Sequence, residues 1–130
     1  MKISFVKKKW LSGFSPEQRR MHQQIREAVD TWVEQKGFTK RLPNLEEIAK
    51  DIGVPADQLS IHIRIHKRKS VLTWRKELRI REARDILLDY PELPISVIGE
   101  MIGIEDKTNF KRQFQQVVGL SPRDWREKHL

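Results

Sequence analysis

An internal repeat is the feature that most constrains how this chain can fold. Residues 45–53, with the sequence LEEIAKDIG, recur fifty positions later as residues 95–103, with the sequence ISVIGEMIG. Each copy continues into a closing signature, which is SVLTWR from Ser70 in the first copy and SPRDWR from Ser121 in the second. A repeat of this length predicts two similar modules, each built from the same helices.

The spacing within each copy predicts a helix-turn-helix. In this motif the two helices cross closely, so that one contact position on the first helix is small, here Ala49 and Gly99. Four residues later the chain turns through a left-handed conformation, which glycine adopts at the least cost, and Gly53 and Gly103 occupy that place. Apolar residues on both sides of each turn are expected to clamp the helices together: Ile48, Ile52, Leu59 and Ile63 in the first copy, and Ile98, Ile102, Phe110 and Phe114 in the second.

Capping residues and apolar periodicity predict an all-α chain. Ser15 with Pro16 and Gln18 begins a first helix. Gly37 is expected to end it, and its apolar face comprises Met21, Ile25, Ala28, Val29, Trp32 and Val33. Asn44 caps the next helix. We expect further helices over residues 56–67, 71–89, 95–102 and 107–118 and from Pro122 onwards, and no segment alternates as a strand would.

These boundaries divide the chain into four segments. Residues 1–14 are expected to form a flexible basic arm, or a linker severed from a longer chain. Residues 15–69 hold the first helix and the first helix-turn-helix, residues 70–90 a long connector helix, and residues 91–130 the second helix-turn-helix. The connector carries two apolar stripes, and two such faces suit a rigid link between two small cores.

The charge distribution favours an anionic partner and limits how it is bound. The chain carries a formal net charge of +8, with ten basic and four acidic residues in the first 44 positions alone. The repeated part is nearly balanced, so any specificity there must come from a few placed side chains. Cysteine is absent, which excludes disulfides and thiol chemistry and fits a reducing cytoplasm. No apolar run is long enough to span a membrane.

The motif residues resemble those of the AraC/XylS family of bacterial transcription regulators, whose C-terminal domain is two homeodomain-like helix-turn-helix modules joined by a long helix. The resemblance runs from about residue 25 to the end of the sequence. It is carried by WxxxLRIxxA from Trp74, IGxxIGI from Ile98, NFxxxF from Asn109 and GxSPxxWR from Gly119. The helix end at residues 32–37 resembles Bacteroidetes-type members. The chain departs from the family pattern at Ile104, where Phe is usual, at Arg68, where Gly is usual, and at Ile61, where the family often has a base-contacting Arg.

The resemblance implies a sequence-specific regulator that inserts two recognition helices into successive major grooves of an asymmetric DNA site. Double-stranded DNA is the implied partner, with RNA polymerase and an N-terminal sensor domain, missing from this chain, as further candidates. We expect no membrane partner, cofactor, metal ion or enzymatic activity. The family's alkyl-transfer relatives use cysteine thiolates, which this chain lacks, and no phosphate-binding loop or catalytic constellation is present.

Helical periodicity selects the residues of the second recognition helix that would face DNA. With Phe110, Phe114 and Val117 assigned to the core, the opposite pole holds Thr108, Arg112 and Gln115. Arginine suits guanine, asparagine or glutamine suits adenine, and lysine suits phosphate. We therefore predict base contacts from Thr108, Arg112 and Asn109 and backbone contacts from Lys107 and Lys111, with Lys111 and Asn109 each able to serve either role.

The first recognition helix is predicted to be a weaker reader of bases. Its exposed pole holds Asp57, which repels phosphate, and Ile61, which offers at best a contact with a thymine methyl group. We expect Ser60 and Ile61 to read bases modestly, while its basic end grips the DNA backbone through Arg64, Lys67 and Arg68. The alternative is a protein-interaction module that has the same fold and a degenerate first DNA reader.

Two further expectations concern buried or paired side chains. Arg79 on the connector is expected to form a structural ion pair with an acidic neighbour. His62 and His66 lie four apart on a helix, a spacing that can bind a metal ion. Without cysteine or an obvious carboxylate as third ligand, we expect them instead to lie beside the basic helix end and to add positive charge there when protonated.

Overall fold

The computed structural model describes residues 13–130, and their regular structure is entirely helical, which confirms the all-α prediction. Residues 1–12, most of the expected arm, lie outside the described residues. Seven α-helices follow in order: α1 Pro16–Glu34, α2 Leu45–Ile52, α3 Ala56–Lys67, α4 Val71–Asp89, α5 Ile95–Met101, α6 Lys107–Val118 and α7 Pro122–His129. No helix in this part of the chain is both long and apolar enough to cross a membrane.

Side-chain caps fix where several helices begin. The Ser15 hydroxyl accepts from the Gln18 amide at 3.2 Å, and the Gln18 side chain accepts from the Ser15 amide at 2.8 Å. This reciprocal pair, a capping box, confirms the predicted start of α1. Asn44 caps α2 as expected, and Ser121 caps α7. The cap of α6 is an addition to the sequence prediction: the Asp106 carboxylate accepts from the Asn109 amide at 2.7 Å.

The chain divides into two compact units. The first comprises the described residues up to Gly37 together with Pro43–Trp74, and the second comprises Phe38–Leu42 and Arg75–Leu130. The five-residue segment Phe38–Leu42 therefore belongs to the second unit, although it precedes the first repeat in sequence.

Arginine side chains of α4 hold that segment in the second unit. Arg79 is buried, and its Nε and Nη2 donate to the carbonyls of Phe38 at 2.6 Å and Lys40 at 2.7 Å. Arg75 Nη1 donates to the Leu42 carbonyl at 2.5 Å. The expectation of an ion pair at Arg79 is thus wrong, since backbone carbonyls are the acceptors. Burial, with the charge of Arg75, lowers the pKa of Arg79 to about 10, so it remains a cation at neutral pH.

The first unit packs α1, α2 and α3 around one core. Ile25, Val29 and Trp32 of α1 are buried together with Ile48, Ala49, Leu59 and Ile63 of the first repeat. The Trp32 ring stacks on Trp74 with centroids 5.6 Å apart, and its Nε1 donates to Asp51 Oδ2 at 2.8 Å. Met21, which periodicity places on the same face, is 46% exposed, so the buried part of that face starts one turn later, at Ile25.

Gly37 has a different role from the one its position suggests. The helix ends at Glu34, and the left-handed residue after it is Lys36, with φ 58°. Gly37 is buried, and a Cβ there would lie 2.2 Å from Trp32 Nε1. The glycine is therefore required by the close approach of the indole and does not serve as the left-handed cap.

The second unit has its own core, formed by α4, α5 and α6. Its fully buried members include Ile80, Leu87, Ile98, Ile102, Phe110 and Phe114. Val117 is 37% exposed whereas Val118 packs against this core, so the assignment of Val117 to the core is wrong. Position 118 lies four residues after Phe114 and continues its row of the helix. Arg126 of α7 closes the unit by donating to the carbonyl of Leu87 in α4 and to those of Tyr90 and Leu93 in the turn after α4.

Candidate nucleic-acid interface

Each turn between paired helices has the geometry that a helix-turn-helix requires. Gly53 has φ 92° and Gly103 has φ 91°, both in the left-handed region. Ala49 and Gly99 are buried at the crossing points. A Cβ on Gly99 would lie 2.9 Å from the Ile104 carbonyl oxygen and 3.0 Å from the Phe110 ring. The close approach of α5 and α6 therefore requires glycine at position 99, because a larger side chain would clash.

The predicted reading face of α6 is exposed and continuous. Thr108, Lys111 and Arg112 line a shallow, solvent-open depression of about 440 Å³ together with Gln115 and Gln116. Lys107, at the start of the helix, is also exposed, whereas Asn109 is half-buried. None of the residues lining this depression is acidic. A surface of hydroxyl, amide, ammonium and guanidinium groups can pair with base edges and phosphates alike.

The side chains of Asn109 and Arg112 are coupled. Arg112 Nη2 donates to Asn109 Oδ1 at 2.5 Å, and Gln113 Nε2 donates to the same oxygen at 3.0 Å. The Asn109 oxygen is therefore engaged within the helix, and a bidentate contact with adenine would first have to break these bonds. In this arrangement Asn109 orients the Arg112 guanidinium, a role that the sequence alone did not reveal.

The exposed face of α3 is chemically different. Asp57 is exposed, its carboxylate accepts from the Gln58 amide at 2.9 Å, and Ile61 is 42% exposed. Ser60, the other predicted base contact on this helix, is half-buried, as is Ile65. The N-terminal half of this face thus presents a carboxylate and an aliphatic side chain, whereas α6 presents amides and a guanidinium.

The C-terminal end of α3 gathers the predicted backbone contacts. Arg64, Lys67 and Arg68 are all exposed there. Arg68 is the helix C-cap and has φ 59°, a left-handed conformation, and its amide donates to the Arg64 carbonyl at 3.0 Å. The chain thus keeps a cation at a position where a glycine would avoid backbone strain.

The backbone strain at Arg68 predicts that replacing this residue with glycine increases stability and weakens DNA binding. Arg68→Gly is expected to raise the free energy of unfolding by about 0.5–1 kcal/mol, because glycine adopts φ 59° without a Cβ penalty. It is also expected to weaken DNA binding by removing a cation. Urea denaturation and a DNA titration measure the two effects. Arg68→Ala is the control: it loses the cation and keeps the strain, so a stability gain in that variant would contradict the explanation.

His62 was expected to add positive charge to the basic helix end when protonated, but its burial opposes protonation. Its side chain is buried and its Nδ1 has no hydrogen-bond partner among the described residues. Burial lowers its pKa to about 4, and the neighbouring His66, Arg26, His22 and Lys67 act in the same direction. The rings of His62 and His66 lie with centroids 4.3 Å apart. No group of three or more metal-ligating side chains occurs within residues 13–130.

Comparison with known proteins matches the repeated region to a family of DNA-binding domains. A family model described as a helix-turn-helix domain matches residues 48–128. The arabinose operon regulatory proteins of Salmonella typhimurium and Escherichia coli are each 31% identical to this chain over 83 residues, or 64% of its length. The chain spans only 29% and 28% of the length of those two relatives.

Solved structures share the fold. The C-terminal domain of AraT, a response regulator from Geobacillus stearothermophilus, is 29% identical with a TM-score of 0.66, over 91% of this chain and 89% of that one. An AraC-type transcriptional regulator from Chromobacterium violaceum gives a TM-score of 0.67 at 22% identity, over 85% of this chain and 95% of that one. The second likeness bears on the fold alone.

Proposed function

Because the chain belongs to the AraC-type helix-turn-helix family of DNA-binding domains, whose fold is that of transcription regulators and not of enzymes, we propose that it reads a specific, asymmetric DNA site. In this proposal α3 and α6 enter successive major grooves on one face of the duplex, about 34 Å apart. The observation that carries it is the exposed, acid-free row of polar side chains on α6.

The two helices divide the work. On α6, Arg112 pairs with guanine and Thr108 adds a base contact. Asn109 adds another once its oxygen releases Arg112 and Gln113. Lys107 and Lys111 hold the phosphates. On α3, Arg64, Lys67 and Arg68 hold the backbone, while Ser60 and Ile61 read bases more weakly. The chemical difference between the two exposed faces supports an asymmetric site that a single chain can fill.

Two alanine substitutions test this division. Arg112→Ala is expected to cost about 1–3 kcal/mol on the specific site and to relax specificity at one base pair, because a bidentate arginine–guanine contact is worth that much. Lys67→Ala is expected to weaken binding evenly on specific and random DNA, and to reduce the salt slope by about 1, because it removes one phosphate contact. Fluorescence anisotropy at several salt concentrations measures both.

The two variants serve as each other's control, since each removes one exposed cation from a recognition helix. If Arg112→Ala loses as much affinity for random DNA as for the specific site, Arg112 does not read a base. If Lys67→Ala changes the preferred sequence, Lys67 is not a backbone contact.

A protein-interaction role is the second candidate, and the exposed face of α3 is the observation that favours it. Asp57 and the 42% exposed Ile61 suit a protein partner better than a DNA groove. A gel shift on DNA selected from a random pool, repeated at increasing salt, separates the two candidates. A salt-sensitive shift supports the regulator, and no shift at low salt supports the interaction module.

Regulation would involve partners beyond DNA. The matched relatives are much longer than this chain, and one of the solved structures, that of AraT, is the C-terminal domain of a response regulator. On this basis we include a sensor domain outside these 130 residues, and RNA polymerase, among the proposed partners.

A further inference from the structure

A second cavity in the second unit lies where the first turns of α5, α6 and α7 meet. Its volume is about 420 Å³, within the range of roughly 300–1,000 Å³ that is typical of small-molecule sites. Ile95 and Ser96 of α5, Phe110 and Lys111 of α6, and Pro122 of α7 are among the residues that line it. We call it the side cavity; of its lining residues, Lys111 alone also lines the reading face of α6.

The inner surface of the side cavity is apolar. Phe110 is 1% exposed to solvent, Pro122 is buried and Ile95 is half-buried. An aromatic ring or a short hydrocarbon chain placed against them would leave water and gain the free energy of burying apolar surface. A phosphate group of DNA would gain nothing from this surface, because it has no apolar part to bury.

The rim of the side cavity is cationic. Lys107, Lys111 and Arg123 all line it and are exposed, whereas Asp124 is the single carboxylate among the lining residues. The Ser121 hydroxyl, also in the lining, accepts from the Asp124 amide at 3.1 Å and keeps its own proton to donate. Arg123 Nε also donates to Glu127 Oε1 at 3.3 Å, so the three cations face two carboxylates. The remaining excess of positive charge, which Lys107 and Lys111 supply, favours an anionic group at the mouth of the cavity.

We propose that the side cavity binds a small amphiphilic anion, namely an aromatic or aliphatic carboxylate whose apolar body rests on Phe110 and whose charge meets Lys107, Lys111 and Arg123. Binding there opposes DNA binding, because Lys107 and Lys111 are also the backbone contacts proposed for α6. The competition between the anion and DNA rests on the proposed function, whereas the binding of the anion does not.

The test uses the full chain and three probes: 2-naphthoate, its neutral analogue 2-naphthalenemethanol, and inorganic phosphate. We expect 2-naphthoate to bind saturably and to shift the amide resonances of Ser96, Lys111, Ser121 and Arg123. The neutral alcohol and phosphate are each expected to bind at least about tenfold more weakly than 2-naphthoate. The alcohol lacks the negative charge and phosphate lacks the apolar body, and the cavity recognises both. Equal binding of the alcohol would show that charge plays no part and would overturn the proposal. Equal binding of phosphate would show that the apolar surface plays no part in recognition, and it would also overturn the proposal.

A matched pair of variants locates the site. Arg123→Gln is expected to weaken 2-naphthoate binding by about threefold to tenfold, the loss typical of one charge-assisted hydrogen bond near solvent. Lys128→Gln removes an exposed cation from the same helix but not from the cavity lining, and should leave binding unchanged. Equal effects of the two variants, or shifted resonances spread over the whole surface, would overturn the proposal.

A separate measurement tests the competition with DNA. Adding 2-naphthoate to the complex of the wild-type chain with its selected DNA is expected to raise the apparent Kd, and to do so less in Arg123→Gln. An unchanged Kd at saturating 2-naphthoate would overturn the competition. Because the resonance shifts are recorded without DNA, a chain that fails to bind DNA at all would refute the proposed function and leave the anion site to be judged by its own test.

Discussion

Gly103→Ala is expected to lower the free energy of unfolding of the second unit by about 3–5 kcal/mol. The left-handed conformation at φ 91° accounts for about 1–2 kcal/mol of this loss, since an L side chain rarely adopts it. The rest comes from contact, because a Cβ there would lie 2.5 Å from the Thr39 carbonyl oxygen and 2.9 Å from Arg79 Nη2. Displacing either group disturbs the hydrogen bonds of a buried cation, a change that is costly in protein interiors.

The first repeat supplies the matched control for this prediction. Gly53 has φ 92°, but a Cβ there would meet nothing within 4 Å. Gly53→Ala is therefore expected to cost only the conformational part, about 1–2 kcal/mol. Urea denaturation followed by circular dichroism, with amide exchange to assign the loss to a unit, measures both variants. Equal losses would contradict the contact between Gly103 and the segment Phe38–Leu42.

The second large effect is a loss of stability of the first unit in acid. The pKa of His62 is lowered from 6.5 to about 4 by burial, so the folded state binds fewer protons at this site than the unfolded state between those values. The stabilisation that depends on neutral His62 is fully present above pH 6.5 and is lost as the pH falls toward 4. A shift of this size corresponds to about 3 kcal/mol.

A leucine at position 62 should remove this pH dependence. The buried Nδ1 of His62 has no hydrogen-bond partner in the described part of the chain. His62→Leu therefore breaks no hydrogen bond of that atom, and the variant is expected to fold. Its free energy of unfolding should fall less steeply below pH 6.5 than that of the wild type. His129→Leu is the control, because His129 is exposed at the end of α7. A wild-type slope in His62→Leu would contradict the assignment of the acid sensitivity to His62.

Local signals in the sequence were sufficient for most helix bounds and for the two turns of the repeats. The bounds of α3, α4 and α6 match the predicted ranges because caps, turn glycines and apolar periodicity act within a few residues of each helix end. The polar face of α6 followed from the same periodicity, once Phe110 and Phe114 were assigned to the core.

Contacts between distant segments could not be predicted in this way. The acceptors for Arg79 are backbone carbonyls about 40 positions earlier in the chain. Every residue has a backbone carbonyl, so the sequence does not indicate which of them accepts a hydrogen bond. His62 lies four residues from the basic end of α3, but its burial depends on packing against other helices. In the sequence, Gly37 resembles a helix cap because it follows the last apolar residues of α1. Its close approach to the indole of Trp32, which is the reason for the glycine, is visible only in the folded structure.

The two recognition helices differ in the chemistry of their exposed faces, and footprinting tests the consequence of this difference for DNA binding most directly. Sites would be selected from random DNA by the full chain, and the preferred site would be probed with hydroxyl radicals, with wild-type protein and with Arg112→Ala. We predict two protected segments one helical turn, about 10 base pairs, apart on one face of the duplex. Their sequences should be unrelated, and Arg112→Ala should relax only the one read by α6. A single protected segment, or two copies of the same half-site, would contradict the proposal that α3 and α6 read different sequences in successive grooves.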